Sequence, residues 1–115
     1  MHKICSTNGI KYFHFLQPNQ YVAGSKPMGE NERHLAIQDN HIFAMPAKRG
    51  YPYLVEAGKD LARKGVNFYD LTQVFANDSE PVYVDECCHV NATGNSILGR
   101  AMGEAIVKKD MSREE

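Results

Sequence analysis

Residues 10–16, IKYFHFL, gather apolar and aromatic side chains into one short run that stops at Gln17 and Pro18, which predicts a strand ended by a turn. A polar segment bearing Gly and Pro follows, QPNQYVAGSKPMGENER, and reads as a long loop. Residues 30–42 carry a weaker pattern that predicts a short helix with Leu35, Ala36 and Ile42 turned inward. A better-marked helix opens at Pro52, places Leu54, Val55, Gly58, Leu61 and Ala62 on one stripe, and closes at Gly65, with Lys64 near its end to suit the helix dipole. VNFYDL at 66–71 and PVYV at 81–84 each predict a strand, Pro81 being tolerable at a strand entry. After His89, Ile97, Leu98, Ala101, Met102, Ala105 and Ile106 recur at three-and-four spacing, the mark of a helix with one buried face. Asn91 can cap its start, Lys108 and Lys109 suit its end, and a polar tail follows at 110–115.

This alternation of strands and helices predicts an α/β fold: a mostly parallel sheet flanked by helices. In such sheets ligands bind beyond the carboxyl ends of the strands. Three segments fall at such ends, QPNQ after the first strand, residues 72–75 after the second and DECCH after the third, and all three are expected to line one crevice.

With 115 residues, 43% of them hydrophobic, the chain has apolar material for one domain and too little for two. Thirteen basic and fourteen acidic residues leave a formal charge of −1, and no basic run exceeds Lys108–Lys109, so nucleic acid is not an expected partner. No apolar stretch approaches the roughly 20 residues that span a bilayer, and the first residues lack a signal-peptide pattern. Cys5, Cys87 and Cys88 are odd in number, and neighbouring thiols seldom bridge, so reduced thiols and a cytoplasmic setting are the default expectation.

The densest chemistry lies at 85–89, where Asp85, Glu86, Cys87, Cys88 and His89 follow one another. A carboxylate three or four positions before a histidine, at a turn between strand and helix, can hold Nδ1 and leave the other ring nitrogen to take a proton. Asp85 stands four residues before His89 and Glu86 three, and both are candidates. The commoner fate of such residues is a solvated polar turn. A metal site is not expected, because adjacent residues rarely converge on one ion and the spaced ligand pairs of zinc sites are missing. Cys88 and His89, as immediate neighbours, tend to point apart, and a small buried thiol is the simpler role for Cys88. Gln17, Asn19 and Gln20 suit either substrate positioning or loop shaping.

From Pro81 to Ile106 the sequence PVYVDECCHVNATGNSILGRAMGEAI resembles the last block of the SGNH, or GDSL-type, hydrolases: a strand, an acid, a histidine, then Asn, Gly and Asn entering an amphipathic helix. IKYFHFLQPNQYVAGSKPM resembles the segment that precedes that block, so the likeness spans most of the chain. It implies a flavodoxin-like α/β layer and a serine-dependent hydrolysis of acyl esters without metal or organic cofactor. By that likeness His89 is the general base, and Asp85 or Glu86 its orienter; the acid usually stands three before the histidine, the position of Glu86, whereas Asp85 directly follows the strand. The family's Gly-Asp-Ser nucleophile and its oxyanion donors have no counterpart here, since Ser6, Ser25, Ser79, Ser96 and Ser112 all lie in other settings. The expectation is therefore a C-terminal portion of such an enzyme (1–109), with a missing N-terminal half, little activity alone and a sheet edge open to self-association. The rival expectation is a non-catalytic α/β module acting by assembly or ligand binding.

Overall fold

A computed structural model describes residues 1–111. The chain is mixed α/β: helix α1 (His2–Thr7), strand β1 (Phe13–Leu16), helices α2 (Glu30–Ala36) and α3 (Ala44–Arg63), strand β2 (Asn67–Asp70) and helix α4 (Ala92–Met111). β1 and β2 pair in parallel, Phe13 opposite Asn67 and Leu16 opposite Asp70, and α3 makes the crossover that a parallel pair requires. Alternate residues serve opposite faces of this ribbon. Phe68 packs against Gly58 of α3, while Tyr69 stacks on Phe13 and Phe15 and donates its hydroxyl to the Ala105 carbonyl of α4.

α3 starts eight residues before the expected Pro52, which sits inside the helix on its exposed side. The lost N–H is tolerated there because nineteen other residues and the packing of Tyr51 and Gly58 carry the helix through. The inward stripe is Tyr51, Val55, Gly58 and Leu61; Leu54 and Ala62 face solvent instead. The end follows expectation: Gly65 adopts φ +85°, its N–H bonds the Ala62 carbonyl at 3.0 Å, and the Val66 N–H bonds that of Leu61 at 3.0 Å, so the last carbonyls are satisfied by a left-handed turn.

Two further expectations are corrected. α2 stops at Ala36, and its inward residues are Glu32 and Ala36, one turn apart; Leu35 and Ile42 are exposed. Residues 81–84 form no third sheet strand but a single antiparallel bridge, Tyr83 to Val90. The amides of Val82 and Tyr83 both go to the side chain of Glu32, at 2.8 and 2.9 Å, so they are not offered to a neighbouring strand. α4 forms where its spacing predicts, with Asn91 Oδ1 accepting the Gly94 N–H at 2.9 Å as a cap, but its apolar face is only half-buried: Ile97, Leu98, Ala101, Met102 and Ala105 are partly covered, Ile106 is exposed, and Gly94 alone is buried. It takes in Asp110 and Met111, which the sequence assigns to the tail; the rest of that tail, 112–115, lies outside the described residues.

The core lies beside the sheet. Ala36, Phe75, Val82 and Tyr83 are its centre, with Met28, Val74, Val90, Ile97 and Leu98 packed around them. It therefore supports the turn that carries residues 85–89. Among the described residues no helix is long and apolar enough to cross a membrane.

Candidate functional site

Residues 82–84 and 89–91 run antiparallel as the arms of a narrow hairpin. The Val84 N–H bonds the His89 carbonyl at 3.1 Å, and the Asn91 N–H bonds that of Val82 at 2.8 Å, on either side of the Tyr83–Val90 bridge. Residues 85–88 are its tip. Cys88 turns the chain at φ +67°, a left-handed conformation that a residue with a Cβ adopts reluctantly.

That turn is built around Asp85. Its Oδ1 accepts the N–H groups of Cys87 at 2.8 Å and His89 at 3.3 Å, the short-range capture for which an aspartate has the right length. Its Oδ2 lies 2.5 Å from Nδ1 of His89. The bond to His89, reinforced by the two backbone N–H groups, holds the Asp85 carboxyl below its ordinary 3.8 against a smaller opposing effect of burial. An ionised carboxylate only accepts, so Nδ1 of His89 carries the proton, and whenever the ring is neutral its lone pair lies at Nε2. The His89 side chain is 70% exposed, and its one ring hydrogen bond among the described residues is that of Nδ1 to Asp85.

Of the two acids, then, Asp85 meets His89. Glu86 points elsewhere, its Oε1 3.7 Å from Nε2 of His41. The glutamamide Gln20 holds the site from below, its Nε2 donating to the carbonyls of Asp85 at 3.0 Å and Ala36 at 3.2 Å. Asn19 is a loop-shaping residue: its Oδ1 accepts the Tyr21 N–H and its carbonyl accepts the Ser25 hydroxyl. Gln17 is exposed at the site's margin, its Nε2 3.7 Å from the Cys88 sulfur. Burial pushes the Cys88 thiol above its ordinary value, which leaves it a poor nucleophile at neutral pH.

The expected common crevice is divided. A cavity of about 730 Å³ is lined by Tyr21, Tyr51, Pro52, Val55, Thr72 and Gln73 among others, and none of residues 85–89 reaches it. Tyr51 is the link: it lines the cavity, and its phenol is raised above its ordinary value chiefly by burial and further by Cys88, against opposing side-chain hydrogen bonds with Gln17 and Asn19. Among the described residues, no serine hydroxyl bonds His89, and no group of three or more His, Cys, Asp or Glu is placed to hold a metal. All three cysteines are free.

Sequence reasoning missed Lys26 and Glu32. Both side chains are fully buried and paired at 3.2 Å. In GSKPMGENER they read as ordinary solvated charges, and their main partners are backbone groups some fifty residues away, which no local pattern can signal. No family model, curated protein or solved structure matches the chain.

Proposed function

We propose that this chain supplies the histidine and acid of a serine-dependent ester hydrolase of the SGNH type, with His89 as general base and Asp85 as the residue that fixes its tautomer. The observation that carries this is the 2.5 Å contact between Asp85 Oδ2 and His89 Nδ1 on a ring whose side chain is 70% exposed. A base so held accepts the proton of an attacking hydroxyl, and the carboxylate stabilises the imidazolium that forms. The likeness of residues 81–106 to that family's last block supports the same assignment, and the mixed α/β character of the chain, with its parallel strand pair, is compatible with it. The nucleophilic serine and the oxyanion donors come, on this proposal, from polypeptide outside the chain, seated against the exposed His89 side chain. The substrate class is an acyl ester, such as a short acyl group on a carbohydrate or lipid. Glu86 has no part in the relay.

The test is to sequence the coding DNA upstream of Met1 and express the chain together with it. An in-frame Gly-Asp-Ser segment is expected, with p-nitrophenyl acetate turnover that falls about 10²–10⁴-fold in His89→Ala. Equal rates for the two proteins, or no such segment, would sink the hydrolase assignment. The cavity beyond Tyr51, out of reach of residues 85–89, would then favour a non-catalytic ligand-binding module.

A further inference from the structure

We infer that Glu32 is the positioning residue of the Asp85/His89 pair: its buried carboxylate sets the register of the hairpin whose tip the pair occupies. The consequence for catalysis rests on the hydrolase proposal; the positioning itself does not.

Glu32 lies on α2, far from residues 85–89 in sequence, with its side chain 0% exposed. Oε1 receives two consecutive amides, those of Val82 at 2.8 Å and Tyr83 at 2.9 Å. Successive amides of an extended strand point to opposite sides, so their convergence on one oxygen fixes the local backbone as well as its place. Oε2 faces Lys26 Nζ at 3.2 Å. Lys26, also 0% exposed, directs its ammonium to the carbonyls of Asp78 at 2.8 Å and Pro27 at 3.2 Å as well. Two of its three protons thus have carbonyl acceptors, while Glu32 Oε2 meets the ammonium as an ion pair without a hydrogen bond of its own, and the carboxylate as a whole has a counter-charge and two donors on Oε1.

A buried ion pair is poor evidence for stability, because an apolar pair of similar shape often does as well; its better-attested use is to select one arrangement among several. The arrangement at stake here is definite. Val82 gives its carbonyl to the Asn91 N–H, and Tyr83 faces Val90, so the arm held by Glu32 is the one against which the other arm is aligned. Asp85 lies two residues beyond Tyr83, and His89 one residue before Val90. A slip of one residue between the arms would turn one side chain of the pair to the opposite face and separate them. Gln20, which grips the Asp85 carbonyl, limits the tip in the same sense.

Two double variants test this without orphaning a buried charge. Lys26→Met with Glu32→Gln keeps an acceptor oxygen for the two amides; Lys26→Met with Glu32→Leu removes it. In the first, ¹⁵N shifts of the His89 ring are expected to keep the Nδ1–H tautomer, and the Asp85 carboxyl to titrate below 3.8. In the second, the tautomer preference is expected to be lost and the Asp85 midpoint to return to about 3.8. A folded Leu variant with wild-type ring shifts and midpoint overturns the inference. Should the Leu variant fail to fold, amide exchange in the wild type decides: the Val82 and Tyr83 amides are expected to exchange at least about tenfold more slowly than that of Cys87, and equal rates overturn it. Neither readout involves ester turnover, so failure here is distinct from failure of the hydrolase assignment.

Discussion

The ring of Phe68 occupies the space where Gly58 has no side chain: a Cβ on Gly58 would lie 2.0 Å from Cζ and 2.2 Å from Cε1. This close approach seats α3 on the β1–β2 ribbon. Gly58→Ala is therefore predicted to destabilise the fold by about 1–2 kcal/mol, because overpacking outweighs the gain of about 1 kcal/mol from better helix propensity. Gly103 in α4 has nothing within 4 Å of the same position, so Gly103→Ala should stabilise by about 0.5–1 kcal/mol. Urea melts of both variants check the pair; a Gly58→Ala protein more stable than wild type would refute the packing argument.

Asp85 has a folded pKa below its unfolded 3.8. A group depressed in this way contributes stability that is present above the unfolded value and is lost as pH falls through the folded one. Asp85→Asn should lower stability at neutral pH, and its deficit relative to wild type should shrink as the pH drops below 3.8. Urea melts in a pH series measure this, and a deficit that stays constant down to the lowest pH at which the protein folds counts against the contact with His89.

Tyr83 is 2% exposed, and its hydroxyl has no hydrogen-bond partner among the described residues. Burial first, then Tyr51, Cys88 and Glu32, raise the phenol far above its ordinary 10.0. Here the sign is reversed: the contribution is complete below 10.0 and declines as the pH rises above it toward the folded value. Tyr83→Phe keeps the edge-on contact with Phe75 and removes the unpaired hydroxyl. It should leave stability at neutral pH unchanged or raise it by up to about 1 kcal/mol, and should resist alkaline unfolding better than wild type. A clear loss at neutral pH in thermal or urea melts would show that the hydroxyl has a partner.

Asn91 has two tasks at the entry to α4. Oδ1 caps the helix through the Gly94 N–H, and Nδ2 donates to the Pro81 carbonyl at 2.8 Å. Asn91→Ala should cost about 1–2 kcal/mol, and Asn91→Asp, which keeps the cap alone, should fall between it and wild type. Denaturant melts rank the three proteins; equal stability of the Asp and Ala variants would leave the cap without value.

Helix α4, the Asn91 cap, the Gly65 stop and both paired strands were legible in the sequence because each rests on contacts between near neighbours or on one residue's backbone preference. The same locality misled at Pro52, whose penalty is small beside the packing of a twenty-residue helix, and at 81–84, whose alternation says nothing about where its amides go.

The sequence by itself determined that an acid would stand within reach of His89, since both candidates lie within four residues of it. Only the tertiary structure decided for Asp85 over Glu86: the left-handed turn at Cys88 folds the shorter side chain back onto the ring, and Glu86 goes to His41. The burial of Lys26 and Glu32 was likewise decided there. Their partners are brought together by the chain's path through α2 and the hairpin, and a charged pair leaves water only when such distant donors and acceptors enclose it.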